Sequence, residues 1–161
     1  MPRVNLADDL PLDWDPADPD GFRAGMARFG KALGARRTSA SLYVLPPGQA
    51  VCPYHYEYGE EEWALVLEGR PTVRTPDGEE RLSPHDLLFF PTGPDGAHEL
   101  RNDSDEPVRL LMWSEVVLPT GTAYPDSGKV ALYTGDEAED AIVERASVVD
   151  YFHGEPPRPA R

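Results

Sequence analysis

The chain has 161 residues, which fits one ordinary domain and leaves too little for two domains and a linker. Its 29 acidic against 15 basic residues give a formal charge of −14, which argues against nucleic acid, whose phosphates need a basic face, and against an anionic membrane surface. The lone Cys52 can close no internal disulfide, and nowhere do about 18 apolar residues run together, so the expectation is a soluble protein of a reducing, cytoplasmic compartment.

Eighteen prolines and fourteen glycines cut the chain into short segments, the punctuation of an all-β sandwich or barrel. Residues 1 to 20 are acidic and proline-rich and predict an extended arm, with Trp14 as its anchor on the body. From Gly21 to Arg37 glycines interrupt the pattern at 21, 25, 30 and 34, so an irregular or extended stretch is expected. Ser41 to Leu45 reads as a strand stopped by Pro46-Pro47-Gly48. Trp63 to Glu68 is a nearly continuous apolar run closed by Gly69, as in a strand covered on both faces. Thr72 to Thr75 and Glu79 to Leu82 flank Pro76-Asp77-Gly78, whose Asp-Gly pair predicts a hairpin. Asp86 to Phe90 predicts another buried strand, and Val108 to Ser114 one that pairs back across the turn from Asn102 to Pro107. About seven short strands with tight turns predict a small jelly roll or open barrel. The tail from Glu115 has an acidic loop at Asp136 to Asp140 and a last apolar patch at Val148 to Phe152.

His55, Glu57, Glu62 and His98 carry the chemistry. Imidazole and carboxylate are ligand types that Zn, Fe, Mn, Ni and Co accept, and the period of two along a strand puts residues 55 and 57 on one face. If Glu62 points inward, Ala64 and Val66 do too, while Trp63, Leu65 and Leu67 pack outside. Glu57 has three readings. As a fourth ligand it balances the charge of a divalent ion; as a second carboxylate beside Glu62 it is a general acid or base; or it is a solvated strand residue. Glu60 and Glu61 read as solvated turn residues, with a register slip making Glu61 the ligand as the alternative. His85 reads as a structural turn residue, His153 as exposed and Arg109 as a solvated edge. Cys52, Tyr54 and Tyr56 fall on the opposite strand parity from His55 and read as packing residues. The chain has no Gly-rich phosphate loop, no Ser-His-Asp set and no Cys-x-x-Cys pair.

Gly48, His55, Glu57, Glu62 and Gly69 resemble the first cupin motif, and Pro91-x-Gly93 followed by His98 and Asn102 is similar to the second. The pattern departs from the family at Glu57, which stands where the second histidine of His-x-His is usual, and at His85, which replaces a turn glycine that favours positive φ. The stretch Tyr54 to Glu61 also looks like that of 3-hydroxyanthranilate dioxygenases, cupins whose glutamate at this place is not a ligand. The resemblance implies a single-domain cupin jelly-roll barrel, with residues 41–115 as core, 1–40 as an N-terminal arm wrapping it and 116–161 as a C-terminal flanking segment of the same domain. It implies one divalent metal ion (Fe, Mn, Zn or Ni) held by His55, Glu57, Glu62 and His98, a homodimer, and a small oxygen-rich metabolite bound in the barrel. On that footing the expected activity is a metal-dependent enzyme of dioxygenase or isomerase type with Glu57 as catalytic residue. The alternatives are a non-catalytic binding or sensing module and a storage protein with a vestigial site.

Overall fold

The computed structural model describes residues 1–157, so the last four residues of the expected C-terminal flank lie outside it. Apart from two single-turn 3-10 segments, its regular structure is all β: β1 (Gly25–Arg28), β2 (Thr38–Leu45), β3 (Tyr56–Glu57), β4 (Glu62–Glu68), β5 (Thr72–Thr75), β6 (Gly78–Arg81), β7 (Leu87–Phe90), β8 (Glu99–Arg101), β9 (Val108–Glu115), β10 (Thr120–Tyr124), β11 (Lys129–Tyr133) and β12 (Ala141–Glu144). They form a five-stranded sheet in the order β1-β2-β9-β4-β7, a four-stranded sheet β12-β11-β10-β3 and a three-stranded sheet β6-β5-β8, a jelly-roll arrangement. Among the described residues no helix is long and apolar enough to cross a membrane.

The apolar run of β4 is explained by its place between β9 and β7. Ala64 and Val66 are fully buried, while Trp63, Leu65 and Leu67 lie half-buried on the other face, the alternation expected if Glu62 points inward. The Asp-Gly signal also holds: β5 and β6 pair from Thr75↔Gly78, with Gly78 at φ 127° closing the turn. Leu45, Ala64, Val66, Phe90, Val108, Leu110 and Met112 of the large sheet pack against Val73 and Leu100 of the small one, and this is the core.

The partner of β9 differs from the sequence expectation. It pairs with β2 and β4 rather than folding back across the preceding turn. The reason is Asn102, fully buried, whose amide donates to the carbonyls of Leu45 (2.9 Å) and Glu106 (2.8 Å) while its Oδ1 accepts from the Ser104 amide (3.0 Å). This clamp carries the chain from the small sheet, where β8 ends, to the large one.

The stretch before residue 38 contributes β1, which extends the large sheet beside β2, and Asp13 bridges to Met26. Trp14 packs its indole on Gly25 of β1, where a Cβ would meet Cζ2 at 2.5 Å. The tail contributes the β10–β11 hairpin and β12, and β10 pairs on its other edge with β3, which carries Glu57.

Candidate metal centre

Each of three sheets delivers one side chain to the same point. His55 precedes β3 at the end of a bend, Glu62 opens β4, and His98 precedes β8. Reciprocal backbone hydrogen bonds, His55 N–H to His98 O at 3.1 Å and His98 N–H to His55 O at 2.8 Å, fix the two histidines side by side. The turn before His98 depends on Gly96, where a Cβ would lie 1.7 Å from the Pro91 carbonyl oxygen, so no other residue fits. Gly93, at φ 82°, ties that turn to the Glu57 carbonyl at 2.7 Å.

Ligand atoms of His55, Glu62 and His98 lie within 4.8 Å of one another. Glu62 Oε2 is 3.6 Å from His55 Nε2 and 3.6 Å from His98 Nε2. Two donors each about 2.1 Å from a tetrahedral ion stand about 3.4 Å apart, so the spacing suits coordination. Both δ nitrogens are engaged on backbone, His55 Nδ1–H donating to Pro53 O (3.0 Å) and His98 Nδ1–H to Gly96 O (2.9 Å), which leaves the ε nitrogens to face inward. The Phe90 ring stacks on His98 with centroids 3.6 Å apart and walls the site on one side.

For His98 and Glu62 the electrostatics point the same way, whereas without an ion those of His55 favour its protonated form. Burial and the neighbouring His55 push His98 down to about 4, so its ring is neutral near pH 7 and Nε2 presents a lone pair. Across from it, burial acts to raise Glu62, but its contact with His55 and the nearness of both histidines prevail and hold the carboxylate below its ordinary range. Glu62 Oε2 and His98 Nε2 are both buried without a hydrogen-bond partner. Two acceptors facing each other inside a protein repel unless a cation lies between them, so the donor set fits a metal ion. Burial presses His55 toward neutrality, but the Cys52 sulfur and the Glu62 carboxylate outweigh it and hold this imidazole above its ordinary value.

Glu57 stands beside this set rather than in it. Its Oε1 is 3.8 Å from His55 Nε2, and its Oε2 accepts a hydrogen bond from Thr122 Oγ1 at 2.6 Å. Burial raises its proton affinity against the opposing effect of Thr122. Tyr124, two residues on from Thr122, stacks on His55 with centroids 6.1 Å apart.

Among the other sequence readings, Glu61 is exposed and lies outside the cluster, and His85 sits exposed in its turn. Arg109 faces away, donating to Glu68 at 2.9 Å and to the Leu6 carbonyl. Cys52 corrects the parity argument: its sulfur lies 3.4 Å from His55 Nδ1, because residues 51 to 54 form a bend to which strand alternation does not apply. Tyr54 is buried beneath the Arg74 guanidinium, 3.9 Å from the ring centroid. Glu60 is half-buried rather than fully solvated; it accepts from the Val117 amide at 3.4 Å, and burial, with Glu57, Glu62 and Glu115 near, raises it to about 7. Thr122 and Tyr124 had no signal in the sequence, since only the pairing of β10 with β3 brings them to the site.

Residues 41–114 match the family described as "Cupin domain". Among solved structures, the chain is similar to a sugar phosphate isomerase of the cupin superfamily from Silicibacter pomeroyi, at TM-score 0.79 and 22% identity over 91% of this chain and 94% of that one. It is also similar to a polyketide cyclase from Streptomyces resistomycificus (TM-score 0.58, 22% identity, 71% and 79% covered) and to a cupin 2 conserved barrel domain protein from Salinispora arenicola (TM-score 0.52, 20% identity, 71% and 88% covered). Among proteins of curated function none matches this sequence. The match over β2 to β9, the jelly-roll sheets and the two motifs agree: residues 41–114 form a cupin domain.

Proposed function

We propose that this protein is a metal-dependent cupin enzyme of isomerase type, which holds one divalent ion (Fe, Mn, Zn or Ni) through His55, Glu62 and His98 and uses Glu57 as its acid and base on a small hydroxy-carbonyl metabolite. The observation that carries the metal-binding part of the reading is the pair of buried, unpartnered acceptors Glu62 Oε2 and His98 Nε2, 3.6 Å apart. When bound, a divalent ion would supply Lewis acidity toward a carbonyl or hydroxyl oxygen. The chain's own part is proton transfer. Glu57, whose proton affinity burial raises, takes a proton from the carbon beside the carbonyl and returns it to the neighbouring carbon, while a proton passes between the substrate's two oxygens. No co-substrate is consumed. The name of the Silicibacter pomeroyi neighbour points toward the same class of reaction.

The test is to incubate metal-loaded protein with a panel of short aldoses, ketoses and their phosphates in D2O. Deuterium appearing on substrate carbon without oxygen uptake is the expected result. Oxygen consumption with ring or chain cleavage would replace this reading with a dioxygenase, and binding without exchange would leave a sensing module.

The lone Cys52 keeps a reducing, cytoplasmic setting as part of the proposal. So does a homodimer. The outer face of the large sheet carries Trp63 stacked on Trp113 (5.9 Å) and against Phe89 (4.6 Å), with Leu87 57% and Phe89 43% exposed. Exposed apolar patches of this kind mark contact surfaces. Light scattering is expected to give twice the 17.8 kDa chain mass, and Phe89→Glu to halve it; a monomeric wild type contradicts the dimer.

A further inference from the structure

Glu57 and Thr122 are direct cross-strand partners on β3 and β10, 65 residues apart in the chain. Thr122 is 1% exposed, and its hydroxyl donates to Glu57 Oε2 at 2.6 Å. That hydrogen bond satisfies one carboxylate oxygen of Glu57, a residue that is not among the grouped His55, Glu62 and His98. Only Oε1 is left facing His55 Nε2, at 3.8 Å. Resting on the metal reading above, we propose that Thr122 is a positioning residue that withholds Glu57 from the metal and so keeps it available for proton transfer.

Two roles for Glu57 predict opposite effects of removing the hydroxyl. If Glu57 were a ligand, Thr122 would be its outer-shell support, and loss of such support weakens metal binding by about 10- to 100-fold. If Thr122 withholds it, Thr122→Val leaves a half-buried carboxylate oxygen without a partner, and the metal becomes its best available one. Metal binding then tightens.

The experiment is titration of Mn(II) and Zn(II) into chelator-treated wild type, Thr122→Val, Thr122→Ser and the double variant Glu57→Gln/Thr122→Val. Circular dichroism of the metal-free proteins reports folding. Tighter binding by roughly tenfold is expected for Thr122→Val, the lower end of what such neighbours change. Wild-type affinity is expected for Thr122→Ser, and no gain for the double variant. Manganese EPR should show an altered coordination environment in Thr122→Val alone. Weaker or unchanged binding in a folded Thr122→Val overturns the inference while the metal reading stands. A wild type that binds neither ion overturns the metal reading itself.

Discussion

Glu62 Oε2 and His98 Nε2 are buried polar atoms that no protein group satisfies, and each such atom costs about 1–3 kcal/mol. A chain keeps that cost where something outside its own residues removes it. His85 shows a different local cost. Among the described residues it is the one non-glycine at positive φ, 76°, at the position where the cupin pattern has glycine. Its backbone N–H still donates to Val66 O at 2.8 Å, so the turn is held by the main chain, and the exposed ring contributes no hydrogen bond among those described. Left-handed backbone costs a side-chain-bearing residue about 1–2 kcal/mol, which glycine avoids. His85→Gly is therefore expected to raise stability by about 1 kcal/mol, after the entropy glycine loses on folding. Urea unfolding would show a higher midpoint at unchanged slope, and an unchanged or lower midpoint would contradict the strain at this turn.

At the scale of elements, the sequence spoke most clearly where one strand's environment decided its pattern. In β4 the alternation around Ala64 and Val66 matched the buried face, and the Asp77-Gly78 pair matched the β5–β6 turn. It was silent where pairing, not local pattern, makes the strand. β3 is two residues long, β12 has every residue exposed, and β1 lies in a glycine-interrupted stretch. Strand parity misplaced Cys52 because residues 51 to 54 bend. Local pattern does not give the partner of β9, because a single buried side chain, Asn102, redirects the loop before it. In the site, imidazole and carboxylate type together with the two motifs give the set His55, Glu57, Glu62 and His98, of which the structure groups His55, Glu62 and His98. Thr122 was not legible, because a threonine in a tail hairpin acquires its role only from the strand it faces.

For the molecule as a whole, the three ligand-bearing residues come from segments belonging to different sheets, so an ion held among them would add a link between parts of the jelly roll already joined by the His55–His98 backbone hydrogen bonds. Binding to the folded state alone stabilises it by about 2.7 kcal/mol when the free ion is at a hundred times its dissociation constant. The most direct measurement is therefore elemental analysis paired with thermal unfolding, on wild type and His98→Ala purified without chelator and then titrated with Mn(II), Fe(II), Zn(II) and Ni(II). One ion per wild-type chain, a rise in melting temperature on loading, and loss of both in a folded His98→Ala is the predicted result. A wild type that takes up none of these ions, or a His98→Ala variant that holds and responds to them equally well, would contradict the metal centre.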